Sequence, residues 1–317
     1  MKTIKNLILA QVLILALPLF AWSQQLPAFA LYRDNWNILN PASVSSDYIF
    51  SENPMSFFAS YRSQWSGFEG APETAVLNWE YVMDYNNIVL GASIMNDQAG
   101  EIGNTGLFAR FGYSLKLDRR GDRFINIALN AGVVQYSAQF ADLDLGSTLL
   151  DLANDLIYYP DFGVGIMYYH EDRYYFGLSI PQTFGLSTRI RNDDGGFEIK
   201  RTQHFYLMGG SYFDLYLFNS DASYLELSGF LKYVPNAPMA IDANVRVQMG
   251  EVFYAGIGGG LSQTARIEAG VVIGESVNFY GGQIRVGASY GFGIAEYARA
   301  FGNTIELHAA YSFDVGR

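Results

Sequence analysis

Residues 239–249 read MAIDANVRVQM, with apolar and polar side chains in strict alternation. Ile241, Ala243, Val245, Val247 and Met249 occupy one frame, and Asp242, Asn244, Arg246 and Gln248 the other. Successive side chains on a strand point to opposite faces, so this stretch carries one apolar face and one charged face. A soluble sandwich would turn the apolar face to a partner sheet, whereas a closed sheet in a bilayer turns it to lipid and keeps the polar face in the lumen. Deciding between these two requires the rest of the chain.

Working outward, fourteen segments carry the same dyad repeat. They span about 56–65, 73–83, 87–96, 104–117, 123–138, 161–170, 173–181, 202–215, 223–233, 239–249, 251–261, 264–274, 277–290 and 303–315. In the fourth, Leu107, Ala109, Phe111, Tyr113, Leu115 and Leu117 oppose Arg110, Gly112, Ser114 and Lys116. In the last, Ile305, Leu307, Ala309, Tyr311, Phe313 and Val315 oppose Thr304, Glu306, His308 and Ser312. Links after even-numbered segments are short and turn-like, as at Asp84-Tyr85-Asn86, Glu171-Asp172, Gly250 and Gly274-Glu275-Ser276. Links after odd-numbered segments tend to be longer, notably 139–160, 182–201 and 291–302. The links at 216–222 and 262–263 depart from this rule. Short turns on one side and long loops on the other are the habit of outer-membrane barrels, and a sandwich has no reason to alternate loop length. The expected fold is therefore an all-β, transmembrane, antiparallel up-and-down barrel of about fourteen strands. An even strand number places both chain ends on the periplasmic side.

Composition agrees with an exported, strand-rich chain. Lys2 and Lys5, the apolar run Leu7 to Phe20 and Ala21-Trp22-Ser23 form a secretory signal over residues 1–23, with cleavage expected before Gln24. Without it, 18 basic residues face 31 acidic ones, a net charge of −13, which argues against nucleic acid as a partner. The chain has no Cys, so neither a lipid anchor on Cys nor a disulfide is available. Aromatic residues make up 16% of the chain and Gly numbers 33, as suits strands with aromatic girdles at the membrane surfaces. Residues 24–55 do not alternate and carry Pro27, Pro41 and Pro54, so they form an N-terminal periplasmic or plug segment before a barrel over 56–317.

The polar frames hold both signs of charge: Arg62, Glu80, Arg110, Lys116, Glu226, Lys232, Asp242, Arg246, Arg266, Glu268, Arg285 and Glu306. A barrel of this size encloses a channel unless something fills it. Mixed charge suits pairing across a partly occupied lumen better than a selectivity ring of one sign. The bland reading is that these side chains solvate an inner wall. Chemistry is hard to find. Gly287-Ala288-Ser289-Tyr290-Gly291 matches the G-x-S-x-G pattern, but Ser289 lies within a strand and not on a strand-to-helix elbow. His170, His204 and His308 lie on separate strands without metal-ligand spacing, so no metal or cofactor is expected, and an outer-membrane lipid hydrolase lacks its residue set. Asp142-Leu143-Asp144 and Asp193-Asp194-Gly195-Gly196 lack the ligand spacing of a calcium loop and read as solvated turns.

Two stretches are too particular for generic barrel wall. QLPAFALYRDNWNILNPAS at 25–43 holds Gln25, Pro27, Phe29, Tyr32, Asn35, Asn40, Pro41 and Ala42. YRSQWSGFEGAPETAVLNWEY at 61–81 holds Arg62, Gln64, Trp65, Gly67, Phe68, Gly70, Ala71, Pro72 and Thr74. Taken alone, the second reads as a tight turn next to a girdle Trp. Together they resemble the PorP/SprF family of type IX secretion system outer-membrane proteins, with a weaker echo in GLSIPQTFG at 177–185. The chain departs from the family pattern at Ser43-Val44-Ser45, Ser66 and Glu73. The resemblance implies a non-enzymatic barrel that binds a secreted, adhesin-type protein through its C-terminal sorting domain for export or surface attachment, with periplasmic ring components as further partners and gliding motility as a process served. Trp65, Phe68 and the Gly67/Gly70 loop are the candidate outer contact, because buried aromatics dominate interface energies. The alternative is a porin-like or hydrophobic-solute channel.

Overall fold

The direction in which the alternating faces point decides the architecture. In the strand Ala240–Met249, Asn244, Arg246 and Gln248 are buried while Ile241, Ala243 and Val245 are exposed. That is the reverse of a soluble sheet. The same inversion runs round the molecule: Leu107 is 60% exposed, Leu129 51%, Ile257 61% and Ile267 52%, while Glu80, Glu226 and Glu306 are at most 1% exposed. A closed sheet with so continuous an apolar belt on its outer face is stable only where those side chains meet acyl chains.

The computed structural model describes residues 29, 31–138, 157–170, 173–181, 183, 187–192, 195–200, 202–217, 220–261, 264–294, 299 and 302–315. The expected signal segment 1–23, Gln25, Pro27 and the acidic stretches 142–144 and 193–194 lie outside the described residues. Strands β1 (Met55–Ser66), β2 (Glu73–Met83), β3 (Ile88–Ala99), β4 (Ile102–Lys116), β5 (Arg123–Ala138), β6 (Ile157–His170) and β7 (Tyr174–Ile180) form the first half. Strands β10 (Phe205–Leu217), β11 (Ser220–Tyr233), β12 (Ala240–Met249), β13 (Phe253–Gly260), β14 (Thr264–Ile273), β15 (Gln283–Gly293) and β16 (Asn303–Phe313) form the second. These fourteen pair antiparallel in a closed ring, with β1 sealed against β16 in the register Phe57↔Tyr311, Ala59↔Ala309 and Arg62↔Glu306. Among the described residues no helix is long and apolar enough to cross a membrane.

Three expectations from sequence need correction. The loop at 182–201 contains a separate two-stranded sheet, β8 (Ser187–Asn192) with β9 (Gly195–Lys200). The segment expected at 277–290 begins six residues later, at Gln283. Residues Glu275–Val277 form a single 3-10 turn, Asn278 adopts φ +63°, and Gly282 adopts φ +127°, which an L side chain rarely takes. The link after β14 is therefore long, and the two-residue link Gly100-Glu101 after β3 is short, so loop length alternates less regularly than expected.

Within the ring lie Phe29 and residues 31–54, which precede β1. They form two short helices, α1 (Trp36–Leu39) and α2 (Ser46–Ser51), the second N-capped by Ser45, whose hydroxyl accepts from the Tyr48 amide. Glu52 closes α2 at φ +52°, and the chain turns into β1. The segment runs along the barrel axis. Leu31 and Asn35 meet Glu306 in the long-loop half of β16, whereas Ser51 and Asn53 meet Gln283 and Ser312 at the short-turn end.

Candidate functional site

The lumen has two chemically different walls, and the segment matches both. On the wall made by β6, β7, β10 and β11, Met167, Tyr169, Tyr175, Tyr206, Met208 and Phe230 form one buried cluster with Phe29, Tyr32, Trp36 and Leu39 of the segment. Trp36 sits edge-on to Phe230 at 5.5 Å, and Tyr32 lies 5.5 Å from the same ring. The wall made by β12 to β16 carries charge. Asp34 receives both Nη atoms of Arg246, at 3.2 and 2.6 Å, and lies 3.8 Å from Arg285 and from His308. Arg246 also pairs with Glu268 at 2.7 Å. Next to Asp34, Arg33 pairs with Glu226, whose other oxygen accepts from the Tyr175 hydroxyl at 2.9 Å. Asn35 and the Leu31 amide donate to Glu306, each at 3.1 Å.

The segment continues this pattern towards the short-turn end. Glu80 accepts from Arg110 at 2.6 Å, from the Ser45 amide at 2.8 Å and from Asn37 at 3.1 Å. Arg110 in turn donates to the carbonyls of Ser43 and Pro41. Asn40 donates to the Ile166 and Leu178 carbonyls at 3.3 and 3.2 Å. Room for it comes from Gly165 and Gly177 on β6 and β7, because a Cβ on Gly165 would overlap Asn40 Oδ1. Pro41 follows where the chain leaves α1, and the Asn40 side-chain oxygen accepts from the Ala42 amide at 2.9 Å. The N-P-A triplet is thus a docking device: an amide that plugs into bare backbone, and a proline that turns the chain after it.

Burial alone would raise the Asp34 carboxyl, but Arg246, His308 and Arg285 around it hold it well below the usual carboxylate range. Asp47 behaves oppositely. It lies 3.0 Å from Arg285, yet burial outweighs that guanidinium and pushes its carboxyl up.

Of the residues expected to line the lumen, Glu80, Arg110, Glu226, Arg246, Arg266, Glu268 and Glu306 are buried on the inner face. Asp242 lies between Arg266 at 3.7 Å and Lys232 at 3.6 Å, and Arg266 stacks 5.0 Å over the Tyr32 ring. Arg285 reaches Ser46 at 2.6 Å as well as Asp34 and Asp47. Lys116 does not line the lumen. It belongs to the inward frame of β4 but lies at the last position of that strand, 38% exposed and paired with Asp84 at the rim. Residues not among the expected lumen-lining or partner-binding set complete the site: Arg33, Asp34, Asn37 and Ser45 on the segment, and Tyr175 and His308 on the wall. Arg33-Asp34 was visible as an adjacent pair of opposite charges inside an otherwise apolar and amide-rich run.

The second candidate, the loop after β1, lies at the long-loop end. Arg62 is turned into the lumen, 3.8 Å from Glu306, and does not join the outer surface. Gln64 closes the loop by its amide, donating to the Pro72 carbonyl at 2.8 Å. Gly67 and Gly70 have φ of +117° and +72°, and the Gly70 carbonyl accepts from Gly100 of the next turn at 2.8 Å. Trp65 also has a positive φ, +59°, while 37% exposed, and Phe68 beside it is 55% exposed. A bulky side chain in that region costs about 1–3 kcal/mol and persists only where its surroundings fix it. At the opposite end, a vestibule of about 760 Å³ opens between the short turns, with Asp47, Phe50 and Ser51 of the segment in its floor.

Comparison with solved structures shows the barrel again. CymD, a monoaromatic hydrocarbon channel, is 10% identical with a TM-score of 0.53, over 88% of this chain and 92% of its own. The deltaS2S3 mutant of TodX, also a monoaromatic hydrocarbon channel, has a TM-score of 0.53 at 10% identity, over 88% of this chain and 94% of its own. The P. putida toluene transporter TodX is 9% identical with a TM-score of 0.48, over 89% and 94%. At this identity the likeness to CymD and to the TodX mutant establishes fold. No curated protein sequence matches the chain. The model of the type IX secretion system membrane proteins PorP/SprF matches residues 21–311, nearly the whole chain. With an outward apolar belt, a closed fourteen-stranded ring and that match, the chain belongs to the PorP/SprF family and is an outer-membrane β-barrel component of type IX secretion.

Proposed function

We propose that this chain is a non-enzymatic recognition barrel, which binds a secreted protein of adhesin type through its C-terminal signal domain and helps to export it or fix it to the cell surface. The long-loop end faces outward and takes the partner. The short-turn end, where β16 ends and β1 begins, faces the periplasm and is open to the periplasmic ring of the secretion machinery. Gliding motility is the process such attachment would serve. Residues 24–55 act as a plug, so the lumen serves recognition and not solute passage.

The observation that carries this reading is the loop at 64–72. It leaves two large aromatic side chains exposed at the long-loop end, one of them on strained backbone, and fixes the turn by hydrogen bonds to Pro72 and Gly100. Strain and exposed aromatic area oppose stability together, and a binding surface accounts for both. The porin-like or hydrophobic-solute channel is the weaker reading, because Asp34, Arg33 and Trp36 occupy the space a solute would cross.

Extraction in mild detergent followed by identification of whatever co-purifies tests the proposal. A secreted protein is expected with the native chain, and Trp65→Ala with Phe68→Ala is expected to weaken its capture about 30-fold or more, the loss of one interface anchor being worth about 2 kcal/mol. Capture that is unchanged in this variant, or a gene deletion that abolishes uptake of small molecules while every surface protein remains, would overturn it.

A further inference from the structure

The ion pairs inside the barrel divide into two kinds. Glu80 with Arg110, Arg246 with Glu268 and Arg62 with Glu306 are wall-to-wall, and they survive whatever the segment does. Arg285 and Glu226 differ. Among the described residues, both carboxylates within ion-pair distance of Arg285 belong to the segment, Asp34 and Asp47, and the guanidinium paired with Glu226 is Arg33. Removing the segment therefore leaves one part-buried cation, Arg285, and one buried anion, Glu226, without these partners on the wall. Water would hydrate these charges in an emptied lumen, but their placed and opposite signs favour an occupant with matching charges over one without them.

From this we infer that the lumen is a peptide-binding site that exchanges its occupant instead of opening, with residues 29–51 as the ligand it holds in cis. The ligand class is a polypeptide carrying an adjacent guanidinium and carboxylate. The guanidinium meets Glu226 and the carboxylate meets Arg246 and Arg285. An aromatic residue three positions after the guanidinium, as Trp36 follows Arg33, fills the cluster around Phe230. The cis ligand is tied to the barrel through Glu52, which is exposed, and the far end of α2 forms the floor of the short-turn vestibule, so a competing strand of polypeptide has a way in. This inference does not depend on which protein the outer loop binds.

The test uses the whole chain with a specific protease site inserted between Glu52 and Asn53. After cleavage in detergent, a fluorescent peptide of residues 29–51 is added, alongside the same peptide carrying Arg33→Asp and Asp34→Arg. Barrel integrity is followed separately by heat-modifiable gel mobility. The native peptide is expected to replace the cleaved fragment saturably, and the charge-swapped peptide to bind at least roughly tenfold more weakly, since each swapped charge faces one of its own sign. Conductance across a bilayer is expected to stay closed while native peptide is present and the fragment exchanges. The inference is overturned if the fragment stays put wherever the barrel remains folded, if it leaves and nothing rebinds, or if both peptides bind alike. Co-purification of a secreted partner is unaffected by any of these results, so failure here and failure of the proposed function are separately visible.

Discussion

Replacing Asp34 by Asn keeps the size of the side chain and one acceptor oxygen but removes the charge. In the native protein that carboxylate is fully buried, accepts two hydrogen bonds from Arg246 and lies 3.8 Å from Arg285 and from His308. Arg246 retains Glu268, but Arg285 is left with Asp47, whose carboxyl burial already disfavours as an anion. Breaking one side of a buried pair costs about 3–5 kcal/mol. Since about 1.4 kcal/mol is a factor of ten, the fraction of molecules with the segment out of the lumen should rise roughly 10²–10⁴-fold. The chain has no Cys, which makes the assay clean. Val44 is 4% exposed within the segment, so Val44→Cys is reachable by a membrane-impermeant maleimide only when the segment leaves. When release is fast relative to labelling, the rate reports the released fraction. D34N should accelerate labelling by the factor above, and R246Q combined with D34N should cost less than the two changes summed, because the two side chains share one interaction. Labelling of D34N within twofold of the parent would refute the claim that these ions hold the segment.

Three further outcomes follow from the same geometry. Gly165→Ala places a methyl group where Asn40 Oδ1 sits, and Asn40→Ala leaves the Ile166 and Leu178 carbonyls without this donor; each should cost about 1–3 kcal/mol by the same labelling readout. The Asp34 carboxyl is held below its unfolded value, so its stabilisation is complete above about pH 3.9 and is lost as pH falls through the lowered folded value. Maleimide-independent proteolysis of the segment should therefore increase on acidification below that point, and D34N should flatten this arm of the profile. Asp47 contributes with the opposite sign, because a raised carboxyl favours the folded state below its unfolded value and loses that advantage as pH rises through the folded one. On the outer belt, Leu129→Arg puts a charge near mid-strand on β5, where it should cost about 2–4 kcal/mol of folding free energy in lipid vesicles by denaturant titration.

Strand number and facing were legible in the sequence because alternation fixes which side chains share a face, and Arg110, Glu226, Arg246 and Glu268 follow it inward. Depth is not encoded in that way. Lys116 shares a frame with Arg110, yet six residues further along it has reached the rim. Pairing across the lumen is equally hidden, since Arg33 meets Glu226 only once fourteen strands have set the radius of the ring. The late start of β15 escaped detection because Val277 and Phe279 continue an apolar alternation that the Gly281-Gly282 pair then breaks. The short β8–β9 sheet lies in a loop whose residues carry no apolar run long enough to announce it. For the loop at 64–72, the glycines were visible and the positive φ at Trp65 was not, since nothing in a tryptophan's chemistry asks for that conformation.

Because Glu52 hands the segment straight to β1, the filler and the first stave of the cask are one piece of chain. The final stave, β16, brings Glu306 to the Leu31 amide and to Asn35 while its neighbouring backbone zips against Ser56 to Ser63. Assembly then has a preferred order. A ring that sealed first can still take the segment up from the short-turn vestibule, but strands that gather around a mandrel already in position need only close the seam.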